Sequence, residues 1–438
     1  MGGLLVVVSA TAGNGFGFSP GPFHRIAPVS LYPSAAVIMA FAIMAAAFFA
    51  ADGLLGKIAP NSDKVLLTAV FALTCLGFLL SLRLFPQVAA LESRPPLHGF
   101  YWRHWYYILI GLAAMTVAAA MASQAVIQRL ARRKYIYAVC AAGLIIATGL
   151  IGEEINDRRL WLSIGPFRFQ TIEFVKILAV LFAAGYLAER RGFMARPVLP
   201  DRLDRSLIHR LGPFAFAAAL CILPVVFQKD FGPAFMLVLL MLCMYYAGAG
   251  SRLIVMGCLA ALVMVAWLCY RFELVSMVNT RFDMWMDPFH RSEALSRALW
   301  AAASGGLLGT GLGQGMGVSI PTVWSDFTFV IICEELGWVG GVSVIGLYGL
   351  VVYRGLAIAA SQPDVYRALL AVGLSSSIAI QVLLIVCGNL VLLPLTGITL
   401  PLVSYGGSSL VITFLMIGML LGLSSGRLAA RPAGGAVI

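Results

Sequence analysis

Charge is scarce in this chain. Of its 438 residues only 11% are Asp, Glu, Lys or Arg, and 61% are hydrophobic. A soluble domain is nearer a quarter charged and half apolar, so this composition excludes an ordinary soluble fold. Paired cysteine spacing is also missing. The eight cysteines (Cys75, Cys140, Cys221, Cys243, Cys258, Cys269, Cys333 and Cys387) lie in or beside apolar runs. That excludes a disulfide framework or a zinc site and leaves them as small buried hydrophobes. No basic region precedes the short apolar stretch in MGGLLVVVSATAG, which makes it a poor signal peptide. No Gly-Lys-Ser/Thr follows the glycines between 305 and 317, and no strand precedes them, so they are not a nucleotide-binding loop.

What the chain does have is apolar runs of about 20 residues, the length that crosses a bilayer. They predict an all-α polytopic membrane protein with eleven spans, near 33–52, 65–85, 105–126, 135–152, 172–188, 212–227, 232–250, 253–271, 327–351, 368–390 and 403–424. One set of alternating loops, holding Lys57, Lys64, Arg129, Arg132, Arg133, Lys134 and the arginines from 190 to 210, carries more Lys and Arg than the other. The positive-inside rule then puts the N-terminus outside, the C-terminus inside and the long loop 272–326 outside. Within that loop SEALSRALWAAA (292–303) has apolar residues at helical spacing and reads as an amphipathic interfacial helix. The glycine run after it is too dense for a stable helix and reads as a flexible surface loop.

The segment GNLVLLPLTGITLPLVSYGGSSL, residues 388–410, interrupts an apolar run with Pro394, Pro401 and the polar group Ser404, Tyr405, Gly406, Gly407, Ser408 and Ser409. Non-helical backbone at membrane depth persists only where protein buries it or where it lines a wet cavity, so this break marks a candidate site. Ionisable residues within spans point the same way. Glu173 and Lys176 open the fifth span three residues apart, Lys229 and Asp230 sit between the sixth and seventh, and Asp326 stands at the mouth of the ninth, with Glu334 and Glu335 deeper. Three of these have a structural alternative: a helix pair for Glu173 and Lys176, an internal pair at a helix break by Gly337 for Glu334 and Glu335, and a helix cap for Asp326.

At these residues the chain resembles the SEDS family (shape, elongation, division and sporulation), the FtsW/RodA/SpoVE proteins, over roughly residues 60–425. LPLTGITLPLVSYGGSSL matches the family hallmark nearly residue for residue. SGGLLGTGLGQG with SDFTFVIICEELGWVG, RLWLSIGPFRFQTIEFVKI and QKDFGPAFML resemble further family segments. Thr171, Ile172, Lys229, Trp324, Ser325, Glu293 and Ala294 depart from the family pattern. The resemblance implies a ten-span core over 61–438, with a tail and one extra N-terminal helix in 1–60. It implies a bacterial plasma-membrane peptidoglycan glycosyltransferase that polymerises lipid II on the outer face, in division or cell shape, with polyprenyl pyrophosphate as leaving group. A class B penicillin-binding protein and other divisome or elongasome membrane proteins are the implied partners, and no nucleic acid. Asp326 is the implied general base, with Asp287 and Asp283 next in order. Arg158, Arg159, Trp161, Glu173, Lys176, Lys229, Asp230, Arg281 and the group 404–409 are assigned to substrate, and Glu334 and Glu335 to stability or coupling. A divalent cation, Mg or Mn, would accompany the pyrophosphate, although no metal-ligand cluster is legible. The competing readings are a flippase for lipid-linked precursors and a non-catalytic scaffold.

Overall fold

The computed structural model describes residues 35–91, 100–122, 124–155, 158–164, 167–194 and 230–425, with isolated positions between 212 and 228. Ten described helices are long and apolar enough to cross a membrane, so the protein is a multi-pass membrane protein. In chain order they are α1 (Ala35–Ile58), α2 (Lys64–Leu91), α3 (Phe100–Met121), α5 (Lys134–Ile151), α6 (Thr171–Met194), α7 (Phe231–Ala249), α8 (Arg252–Arg271), α12 (Thr328–Ala360), α13 (Val365–Asn389) and α14 (Gly407–Ser425). Shorter helices α4 (Gln124–Arg132), α9 (Ser276–Met286), α10 (Pro288–Arg291) and α11 (Glu293–Ser304) connect them. Of the expected sixth span, 212–227, only 212, 214–216, 218, 219 and 222 are among the described residues, all of them helical.

The bundle centres on α14, which packs along α3 through glycines. A Cβ on Gly407 would stand 2.5 Å from the Tyr107 ring, and Gly418 and Gly422 lie on the Met115 and Ala119 carbonyls. Without a hydrophobic force between helices in lipid, such small residues are what let two backbones approach and gain dispersion contact. The extra helix α1 meets α2 through edge-on rings, Phe41 to Phe78 at 4.9 Å and Phe48 to Phe71 at 4.7 Å, and α3 through Trp105 Nε1, which donates to Ala40 O at 3.1 Å. By contrast α8 buries no residue at all within the chain.

At one end of the bundle Asp63 binds α2, α12 and α14 together. Its carboxylate caps Leu66 N–H at 3.0 Å and pairs with Arg354 at 2.6 Å, and its own N–H donates to the Ser424 hydroxyl at 3.1 Å. The opposite end carries α9–α11, the glycine loop and a small antiparallel sheet of β1 (Glu153–Ile155), β2 (Arg158–Ile164) and β3 (Phe167–Gln170) in that order. Cross-strand pairs support the sheet: Arg168 with Glu153 at 2.7 Å and Arg159 with Glu154 at 3.1 Å. From sequence alone, 153–171 is a plain polar loop.

Two further expectations for the loop-bearing end are corrected. Helix α11 is amphipathic as expected, capped by Ser292, but its apolar face does not lie on lipid. Leu295, Ala298, Ala301 and Ala302 are buried, and the helix packs against α12. The glycine loop is not a flexible flap. Helix α12 breaks at Gly337, whose φ of 71° suits only a residue without Cβ. The loop completes the broken ladder. Glu334 and Glu335 carbonyls accept from Thr310 and Gly311 N–H at 2.8 and 3.1 Å, while Trp338 and Val339 N–H donate to Gly306 and Leu307 carbonyls at 3.0 and 3.2 Å. A Cβ on Gly309 would stand 2.6 Å from the Gly337 nitrogen, so this docking needs glycine.

Candidate functional site

The proline-broken segment 390–406 is the hub of the loop-bearing end. It lies between α13 and α14, and most of its neighbours hold its backbone rather than its side chains. Trp285 Nε1 donates to Val391 O at 2.9 Å, Arg281 donates to Leu395 O, and Tyr348 donates to Pro401 O. Gly232, at the start of α7, lies directly on the Thr396 carbonyl, and Gly77 of α2 lies against Leu402. Ser404 accepts Leu400 N–H at 2.9 Å and donates to Ser325 O at 2.8 Å, and Tyr405 N–H donates to Trp324 O at 2.9 Å. These last bonds seat the segment against the residues just before Asp326. Gly406 and Gly407 do not have left-handed φ, contrary to a backbone-turn role. Their constraint is close approach, and Gly407 against Tyr107 is the tighter of the two.

Asp326 ends a tight turn rather than capping α12, whose N-cap is Phe327. Its N–H and that of Ser325 both donate to Thr322 O at 3.0 Å, and Asn389 Nδ2 donates to Asp326 O at 2.9 Å. The Thr322 hydroxyl stands 3.4 Å from Asp326 Oδ2. Across from it is Gly397, also at positive φ (68°); a Cβ there would lie 3.9 Å from Asp326 Oδ2 and 3.8 Å from Arg281 Nη2. Burial pushes the Asp326 carboxyl above the usual carboxylate range, and hydrogen bonding from Ser325 and Thr322 and the Arg281 charge only partly offset it. Asp287 differs: it caps α10, and His290 holds it below its ordinary value. Asp283 accepts the Tyr270 hydroxyl at 3.0 Å.

The remaining predicted residues divide into separate places. Glu173 and Lys176 are buried; they pair at 2.5 Å, and Lys176 donates to Gln381 Oε1 at 2.7 Å. Gln381 in turn donates to Thr399 O at 2.8 Å, and Thr399 bonds Ser409 at 3.0 Å. Their charges therefore face a network that supports the hub from within the bundle. Ser408 accepts Gln170 N–H from β3 at 3.3 Å. Asp230 is buried at the N-terminus of α7, beside the Gly232 contact with the hub. Arg159 is exposed and engaged with Glu154, and Trp161 is half-buried on β2. Lys229 lies outside the described residues, as does the Arg158 side chain. Glu334 and Glu335 hold the glycine loop: Glu334 accepts Met316 and Gly317 N–H at 2.7 and 2.9 Å, and Glu335 accepts Gly313 N–H at 3.1 Å.

Four residues at this end are not apparent from sequence. Arg83, which counts there as a loop residue, is buried and pairs with Glu335 at 3.0 Å. Gln381 and Asn389 are amides within an apolar run. His104 is buried with its ring 5.8 Å from that of Tyr405, and neither ring nitrogen has a hydrogen-bond partner among the described residues. The signal for each was a polar residue inside an apolar run.

The model of the FtsW/RodA/SpoVE family, described as cell cycle protein, matches residues 63–427. Peptidoglycan glycosyltransferase RodA of Mycobacterium tuberculosis is 31% identical over 389 residues, covering 86% of this chain and 80% of that protein. A probable peptidoglycan glycosyltransferase FtsW of Thiomicrospira cyclica is 31% identical over 392 residues, 85% of this chain and 97% of its own length. A chain from a structural study of coordinated polymerization and crosslinking by a peptidoglycan synthase complex superposes with a TM-score of 0.68, at 25% identity, over 84% of this chain and 98% of its own.

Proposed function

Because the chain belongs to the FtsW/RodA/SpoVE family, we propose that it is a peptidoglycan glycosyltransferase that polymerises lipid II into glycan strands, serving cell shape or division. Helix α1 precedes the family match, so the ten-span core carries the reaction and α1 is an addition to it. The loop-bearing end is assigned to the outer face, with the N-terminus outside and the C-terminus inside, in keeping with the loop charges.

The observation that carries the mechanism is the Asp326 carboxylate, half-buried at the bundle end and facing Arg281 across Gly397. Glycan extension needs the acceptor 4-hydroxyl to attack the donor's anomeric carbon. The new C–O bond forms as the bond to pyrophosphate breaks, and the hydroxyl proton must go to a base. A carboxylate whose proton affinity is raised by burial is suited to take it. Negative charge develops on the departing pyrophosphate, and Arg281 supplies fixed positive charge beside the base. A divalent cation, Mg or Mn, would accompany the pyrophosphate; among the described residues there is no cluster of three or more His, Cys, Asp or Glu placed to hold a metal ion.

The complex described for the superposing chain couples polymerization with crosslinking. We extend this to a class B penicillin-binding protein as the partner here. The decisive experiment for the mechanism uses purified protein, its partner and labelled lipid II. Asp326→Asn and Asp326→Ala are expected to keep their fold and lose about 10²–10⁴-fold in rate. Polymerisation by Asp326→Asn at the wild-type rate would remove the base assignment.

A further inference from the structure

Thr322 is the anomaly of the site. It is a β-branched residue at φ 55°, in the left-handed region that such side chains avoid. Backbone held this way is strained and persists where the surroundings impose it, typically at functional sites. Burial offers no compensation, because Thr322 is exposed. The turn offers none either: its two bonds, from Ser325 N–H and Asp326 N–H, end on the Thr322 carbonyl, and glycine would accept both without strain. What a glycine would lose is the hydroxyl, which stands 3.4 Å from Asp326 Oδ2. The neighbouring Ser325 hydroxyl has one proton, and Thr322 O competes for it at 3.1 Å. The strain is not isolated. Val391 (φ 56°) and Leu402 (φ 67°) are also left-handed, and both lie in the hub segment that seats Asp326.

We propose that Thr322 is a positioning residue of the polymerase, whose hydroxyl donates to Oδ2 of Asp326 and aims the carboxylate at the acceptor hydroxyl. The proposal rests on Asp326 being the base. The groups facing that carboxylate are Arg281 from α9, the backbone of Gly397 in the hub and, from its own turn, Ser325; Asn389 of α13 engages only the main-chain carbonyl. A hydroxyl donor favours the ionised form. Its removal therefore raises the proton affinity of Asp326, and the rate falls at a higher pH on the acidic side.

The test is the pH profile of lipid II polymerisation by the full-length protein with its partner, for Thr322→Val, Thr322→Gly and Thr322→Ser. Val and Gly both delete the hydroxyl, but Val retains the strained backbone and Gly relieves it. Both are expected to move the acidic limb upward by about one pH unit, equivalent to ~1.4 kcal/mol, with Gly also raising thermal stability. Ser is expected to restore the wild-type limb. An unshifted limb in Val and Gly, with Asp326→Asn inactive, would overturn the role of Thr322 while leaving the base in place. An active Asp326→Asn would overturn the base itself.

Discussion

The buried pair Glu173–Lys176 gives a quantitative test of what holds the hub. The two side chains expose only 8% and 2% of their surface, and their charged atoms are 2.5 Å apart. Solvent screening, which holds exposed pairs near 0–1 kcal/mol, has little access here. Removing one partner leaves a charge in a low-dielectric interior, a cost of roughly 3–5 kcal/mol. Glu173→Leu and Lys176→Met should each destabilise by about that amount. The double variant removes both charges and replaces them with apolar groups of similar bulk, which is often neutral. It still leaves Gln381 Oε1 without the Lys176 donor, a loss of ~1–3 kcal/mol for a buried acceptor. The double variant should therefore cost ~1–3 kcal/mol, well below the ~6–10 kcal/mol obtained by adding two singles of 3–5 kcal/mol. Reversible unfolding in mixed micelles, followed for all four proteins, measures the cycle. The double variant should also polymerise lipid II slowly while folded, because Lys176 orients the Gln381 that holds Thr399 and Ser409. A double variant that costs the full sum would show that the two charges are not coupled, and the reasoning would fail.

Two further outcomes are expected. Gly407→Val should abolish polymerisation and lower stability, because its Cβ would stand 2.5 Å from the Tyr107 ring, whereas Gly406→Ala meets only the Thr399 methyl at 3.2 Å and should be mild; lipid II assays and thermal unfolding compare them. The wild-type rate should fall as pH drops through a value above the ordinary carboxylate range, because the Asp326 pKa is raised and a base works only when ionised; a rate constant down to pH 4 would contradict this.

The spans were legible because a run of about 20 apolar residues is too long and too uniformly apolar to suit anything but a bilayer crossing, and ten of the expected eleven correspond to described helices. The hub was legible as a stretch broken by proline, glycine and serine inside an apolar run, and Asp326 as an ionisable residue at the mouth of a span, before the family resemblance added to either. Other features depended on partners distant in sequence. Arg83 sits at the end of an apolar run and looks like a loop residue until Glu335 is placed beside it. The sheet was missed because its strands have 3, 7 and 4 residues and are joined by ion pairs that alternation does not reveal. The glycine loop reads as flexible because composition reports backbone freedom and cannot report which carbonyls are waiting for that backbone.

The docking of the glycine loop into the break of α12 has a mechanical consequence. The four main-chain bonds across Gly337 join the loop to both halves of the helix, and the N-terminal half, 328–336, begins two residues after Asp326. Lifting the loop would strand several peptide groups in an apolar surrounding, at a cost of several kcal/mol for each. Loop, half-helix and carboxylate therefore move as one stiff lever. A load applied to the glycine loop by a neighbouring protein would arrive at Asp326 as a displacement, with no side-chain relay between them.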